Sequence, residues 1–143
     1  MTRLNLKPKK RKSKDTLSSI KKKAWKYASL VVRQGSSDHR GICTCFTCGR
    51  QGEWVEMQAG HAIGGRHNAV LLDFEILRVQ CVSCNIFKRG NYQIFVTKLI
   101  EENGLEWWKE KLEESRQIVK RDRAYYETFI EECKQRLSEL EAA

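Results

Sequence analysis

No stretch of this 143-residue sequence reaches the roughly 18 consecutive apolar residues that a membrane-spanning helix needs. Nor does an apolar segment follow the lysine-rich beginning, so nothing there reads as a secretory signal. Internal repeats are absent. Acidic residues are nearly missing from the first 34 positions, which hold 12 Lys and Arg against a single acid, Asp15. The formal net charge of +9 therefore belongs to the first quarter of the chain, because the remainder is slightly acidic. Without a secretion signal, six cysteines point to a reducing compartment, where metal ligation is favoured over disulfides. The expectation is a cytoplasmic protein.

The length suits one domain, or one small domain with an extended arm. The block Lys7-Pro8-Lys9-Lys10-Arg11-Lys12 repels itself, and phosphate backbones are its natural partner. Lys9, Lys10, Arg11 and Lys12 are thus candidate nucleic-acid contacts. A solubilising tail or an address signal has the same composition, but a metal module downstream favours nucleic acid.

Four sections follow one another: a basic arm over 1–14, a helix over 15–34, a compact centre over 40–91 and a helical region over 92–141. In the first helix Leu17, Ile20, Ala24, Tyr27, Ala28 and Val31 recur at helical spacing, with Asp15, Thr16 or Ser18 as cap. The centre reads as a cysteine knuckle, a strand over 53–59, a loop rich in glycine and histidine, a strand over 76–80 and the start of a helix at the second cysteine pair. Beyond it, Asn103-Gly104 separates two helices. Ile118, Tyr125, Phe129, Cys133, Leu137 and Leu140 form an apolar stripe that packs on the domain or pairs with another helix, as in a homodimer.

The strongest signal is Cys45-x2-Cys48 with Cys81-x2-Cys84. Two intervening residues let both thiolates of a pair reach one ion, and two pairs close a tetrahedral shell of the structural zinc type. Soft thiolates select Zn²⁺ over Mg²⁺ or Ca²⁺. A redox C-x-x-C would need only one pair. Cys43 alternates with Cys45 along an extended segment, which points it away from the metal, and Cys133 reads as a buried small hydrophobe.

Between and beside these pairs lie His61, the stretch Gly64-Gly65-Arg66-His67-Asn68, and Asn85 immediately after the last cysteine. Phosphodiester hydrolysis needs a base for water and a cation for the developing charge. A histidine at the end of a strand can be that base, and an asparagine carbonyl can hold a hard ion such as Mg²⁺. Lys88 and Arg89 can grip phosphates.

Gln58-Ala59-Gly60-His61, Phe74-Glu75, Gln80-Cys81-Val82-Ser83-Cys84-Asn85 and Gly90-Asn91 resemble the phage NinG/Rap recombination endonucleases. Trp25-Lys26-Tyr27-Ala28-Ser29 and the first cysteine pair fit that family's lead-in, so the resemblance spans about residues 15–110. The order of motifs is also similar to the junction-resolving endonuclease of T-even phages. Both belong to the HNH, or His-Me finger, group. The resemblance implies a zinc-stapled ββα, treble-clef-like core in an α+β fold flanked by N- and C-terminal helices. It makes His61 the general base and Asn85 a ligand of a catalytic Mg²⁺ or Mn²⁺. The four cysteines become the structural zinc site, and Asn91 orients the loop or the metal. It further implies cleavage of branched DNA such as Holliday junctions, by a phage protein in the bacterial cytoplasm. Two positions depart from the wider HNH pattern. Gly60 stands where many members carry an acid, for which Asp73 or Glu75 is a substitute, and Ile76 stands at the middle asparagine.

The sequence thus divides into an arm over 1–14, a helix plus zinc-bound nuclease core over 15–104 and a helical extension over 105–143. The leading expectation is a metal-dependent DNA endonuclease. The alternatives are a non-catalytic zinc module that binds nucleic acid and an interaction module that recruits a protein through its C-terminal helices.

Overall fold

The Thr16 hydroxyl accepts a hydrogen bond from Ser19 N at 3.1 Å and caps helix α1, Leu17–Gly35. The computed structural model describes residues 16–65 and 68–143, so Lys9, Lys10, Arg11, Lys12 and His67 lie outside the described residues. Ile20, Ala24, Ala28, Val31 and Val32 form the buried face of α1, while Leu17 at the first turn stays exposed. The two fully buried alanines let other elements approach the α1 backbone closely.

Strand β1 (Ile42–Thr44) pairs antiparallel with β2 (Gln51–Glu53), and Cys45 and Cys48 lie on the turn between them. Gly49 completes that turn at φ +77°, a conformation open to glycine at no steric cost. The single strand expected over 53–59 is instead interrupted. Glu56 N bonds Glu53 O and Met57 N bonds Trp54 O, so a turn separates β2 from β3 (Gln58–His61). The alternation of apolar residues looked continuous because Trp54 and Met57 both pack inward, but Val55 sits exposed at the tip.

Strand β3 pairs antiparallel with β4 (Leu77–Gln80), placing His61 opposite Leu77 and Gln58 opposite Gln80. The 62–76 loop closes through a 3-10 turn at Phe74–Ile76, capped by Asp73. After β4 the chain does not enter a regular helix, as expected at the second cysteine pair, but makes one π-helical turn at Ser83–Phe87. Lys88 N reaches back to Ser83 O, which widens the turn while Cys81 and Cys84 converge. Arg89, Gly90 and Asn91 then take φ of +50°, +94° and +48° in succession before α2 (Tyr92–Asn103) begins.

Gly104 at φ +92° ends α2 and starts α3 (Leu105–Ser115), and Asp122 caps α4 (Arg123–Ala142). The mixed α+β architecture expected from the sequence is present, with two small antiparallel sheets and four α-helices among the described residues. The apolar stripe expected on the tail packs on the domain and is broader than expected: Tyr125 and Phe129 are partly buried against it and Cys133 is buried, while Leu140 near its end is exposed. Tyr126, Ile130 and Cys133 are the buried residues of α4, whereas Ile118 is 97% exposed in the connection before it. Tyr126 and Ile130 join Ile20, Ala24 and Ala28 of α1 in one apolar cluster with Leu71 and Leu72. Among the described residues, no helix is long and apolar enough to cross a membrane.

Candidate metal centre and adjoining cavity

The β1–β2 turn and the start of the π turn bring Cys45, Cys48, Cys81 and Cys84 together. Their four sulfurs lie within 4.8 Å of one another, and Cys48 Sγ stands 3.6 Å from Cys81 Sγ. A tetrahedral ion with metal–sulfur bonds of about 2.3 Å would set its sulfurs about 3.8 Å apart. The donor set therefore fits Zn²⁺ in geometry and in chemistry. Electrostatics agree with that fit. Burial opposes ionisation of Cys45, yet the Thr47 hydroxyl and nearby backbone N–H groups outweigh it and bring the thiol down to about 6. At Cys48 the backbone N–H of Arg50 favours the thiolate, but burial and the three neighbouring thiols push it up to about 12. Four thiolates this close repel one another unless a cation lies between them.

Polar side chains brace the cluster. Fully buried Gln80 donates through Nε2 to Thr47 Oγ1 at 3.1 Å and to Gly90 O at 2.9 Å, which ties the first knuckle to the loop after the second. Asn91 Nδ2 points at Cys84 Sγ, 3.7 Å away, so the left-handed Asn91 orients a sulfur of the cluster. Cys43 takes no part: its Sγ donates to the Arg33 carbonyl at 3.1 Å. Cys133 is buried on α4.

An open cavity of about 790 Å³ lies between α1 and the β3 edge. His61 and Asn85 both line it, joined by Lys21, Lys22, Trp25 and Arg33 from α1. The Trp25 ring stacks on the His61 imidazole with centroids 4.3 Å apart. His61 Nε2 lies 3.0 Å from the Leu71 carbonyl, which can only accept, so in the neutral ring Nε2 carries the proton and Nδ1 is the basic nitrogen. Asn85 Nδ2 donates to Gln58 Oε1 at 2.7 Å, which turns the Asn85 carbonyl oxygen away from Gln58.

Among the described residues, no carboxylate lines the cavity. Asp73 and Glu75, the substitutes considered for an acid at position 60, instead meet Lys111 Nζ at 2.7 and 2.6 Å. Gly60 has a physical reason to be glycine, since a Cβ there would stand 1.9 Å from Gln80 Oε1. Lys88 and Arg89 are exposed beyond the π turn and do not line the cavity. In the sequence Trp25 and Gln58 stand out only as parts of family-like motifs and Arg33 not at all, so the sequence assigns none of the three a role at the site. An aromatic ring set among lysines at helical spacing was the available signal for Trp25.

No curated protein and no solved structure matches the chain. The family model of the bacteriophage lambda NinG protein matches residues 1–142, nearly the whole length, and the protein is a member of the NinG family.

Proposed function

We propose that this NinG-family protein is a metal-dependent DNA endonuclease of the HNH type, hydrolysing phosphodiester bonds in branched DNA such as Holliday junctions in the bacterial cytoplasm. One observation carries the reading: His61 and Asn85, singled out from sequence, line the same basic cavity beside a four-thiol cluster. In this reading β3, β4 and the π turn correspond to the ββα core, and Cys45, Cys48, Cys81 and Cys84 hold Zn²⁺ as a structural ion.

His61 Nδ1 removes a proton from water as the water oxygen bonds to phosphorus, and the bond from phosphorus to the leaving sugar oxygen breaks. Leu71 O holds the imidazole in the required tautomer, and Trp25 fixes the plane of its ring. Lys21, Lys22 and Arg33 attract the phosphate. Arg33 is itself held in place, with Nε bonded to Ser29 and its guanidinium over the Trp54 ring. The Asn85 carbonyl oxygen, which faces away from Gln58, is the neutral oxygen that would hold a Mg²⁺ or Mn²⁺. Such a cation, when bound, would neutralise charge on the phosphate and the leaving oxygen.

The test is cleavage of labelled linear duplex, single-stranded and four-way-junction DNA by zinc-loaded protein, with Mg²⁺ or Mn²⁺ and with EDTA. Metal-dependent cutting that disappears in His61→Ala, at unchanged zinc content, supports the reading. A second reading, a non-catalytic zinc module that binds nucleic acid, is favoured by the lack of a carboxylate among the described residues that line the cavity. Binding without cutting in every metal would establish it instead.

A further inference from the structure

Phe87, at the end of the π turn, is 80% exposed, and Val82 and Ile86 on the same turn are exposed beside it. A phenylalanine ring left in water forgoes the stabilisation that burial supplies, so its presentation needs a cause. The turn cannot fold it away. Cys81 and Cys84 anchor one end in the thiol cluster, and Lys88 N to Ser83 O and Gly90 N to Cys84 O, both 2.9 Å, lock the other. The left-handed Arg89-Gly90-Asn91 sequence then directs the chain back towards α2, leaving Phe87, Lys88 and Arg89 together at an exposed tip.

The surroundings of this tip specify what covers it. No acidic residue occurs between Glu75 and Glu101, and Lys88 and Arg89 follow Phe87 directly. An apolar ring beside two cations complements a nucleotide, whose base is an apolar face and whose phosphates are anionic. In an intact duplex both faces of each base are already stacked. Only a base at a branch point, bulge or single-stranded segment has a face to offer. Asn85, two residues earlier on the same turn, lines the cavity, so one rigid element carries both features.

We propose that Phe87 is a stacking platform for an unstacked nucleobase, with Lys88 and Arg89 holding the adjoining phosphates, and that it selects branched or unpaired nucleic acid over plain duplex. The inference deepens the nuclease reading by naming how its substrate is recognised, and it is tested without cleavage. Full-length, zinc-loaded protein would be titrated, in buffer free of Mg²⁺ and Mn²⁺, with a four-way junction and with matched duplex. A fluorescent adenine analogue at the branch point reports stacking. Wild type should prefer the junction and quench the analogue. Phe87→Ala should bind the junction roughly ten- to a hundredfold more weakly, with duplex affinity changed by less than about twofold. Phe87→Trp should restore both signals, and zinc content should not change in either variant. The same dependence on RNA junctions supports the platform and widens its source to either nucleic acid. Equal affinity of wild type for junction and duplex overturns it, as does a Phe87→Ala loss of equal size on both or no loss at all. If Phe87→Ala loses the junction preference while no metal ever supports cutting, the platform stands and the nuclease reading falls.

Discussion

The Trp25 ring lies over the His61 imidazole at 4.3 Å, with an angle of 22° between their planes. An α1 side chain thereby packs against the ring face of a β3 side chain whose Nε2 edge meets Leu71 O. If the proposed nuclease reading holds, Trp25→Ala should free the imidazole to tilt and lower kcat about tenfold, the size expected for losing an aromatic contact and some orientation. Trp25→Phe should keep most of the activity. The His61 ring-proton resonances, shifted by the indole ring current, should move towards free-histidine positions in Trp25→Ala. Unmoved resonances would mean that the stack does not position the ring.

Gly60 and Gln80 are a second coupled pair. A methyl group at 60 meets Gln80 Oε1 at 1.9 Å and Cδ at 2.7 Å, so Gly60→Ala should destabilise the protein by about 1–3 kcal/mol through overpacking. Restoring the acid common in HNH enzymes, as Gly60→Asp, should cost at least as much and should not raise activity. Urea denaturation of wild type and both variants checks this, and a stable, more active Gly60→Asp would refute it.

The four-thiol cluster ties the two knuckles together, and its loss should not resemble loss of the other cysteines. Cys81→Ser or Cys84→Ser should abolish stoichiometric zinc and loosen the centre, as should a strong chelator. Cys43→Ser and Cys133→Ser should retain one zinc per chain, because neither sulfur belongs to the cluster. Metal analysis with circular dichroism separates these outcomes.

Lys111 joins α3 to the 3-10 turn by meeting both Asp73 and Glu75. Lys111→Met should destabilise the protein by about 1–2 kcal/mol near neutral pH, a magnitude set by hydrogen bonds to charged groups and reduced by the exposure of Glu75. The hydrogen bond and charge of Lys111 hold the Glu75 carboxyl below its ordinary value. That contribution is present above the usual glutamate range and is lost as pH falls through the lowered folded value. The stability gap between wild type and Lys111→Met should therefore shrink in acid. A gap that is constant from pH 7 to pH 3 would show that the ion pair contributes nothing.

The four-thiol cluster was legible because spacing alone constrains it: two residues between paired cysteines leave little choice of geometry. Helices α1 and α2 were legible from periodicity and from their caps and stops. The interruption at Trp54–Glu56 was not, because apolar residues on either side of a turn can alternate like those of one strand. That Tyr126 and Ile130 are buried beside the expected stripe on α4 escaped for a related reason. Tyr125 and Tyr126, or Phe129 and Ile130, are equally apolar neighbours, and only the position of α1 decides which of each is buried.

The sequence by itself determined the two cysteine pairs, the basic start, the order of the main helices and the identities of His61 and Asn85 as polar groups beside the metal knuckles. These are local properties, written in spacing, charge and composition. Tertiary structure alone decided that α1 forms the wall opposite His61, bringing Trp25, Lys21, Lys22 and Arg33 into its cavity. It also decided that Gly60 must lack a side chain, because Gln80 fills that space from the paired strand. Contacts between residues far apart in the chain depend on how buried faces fit together, and close packing selects one fit among many that the apolar pattern allows.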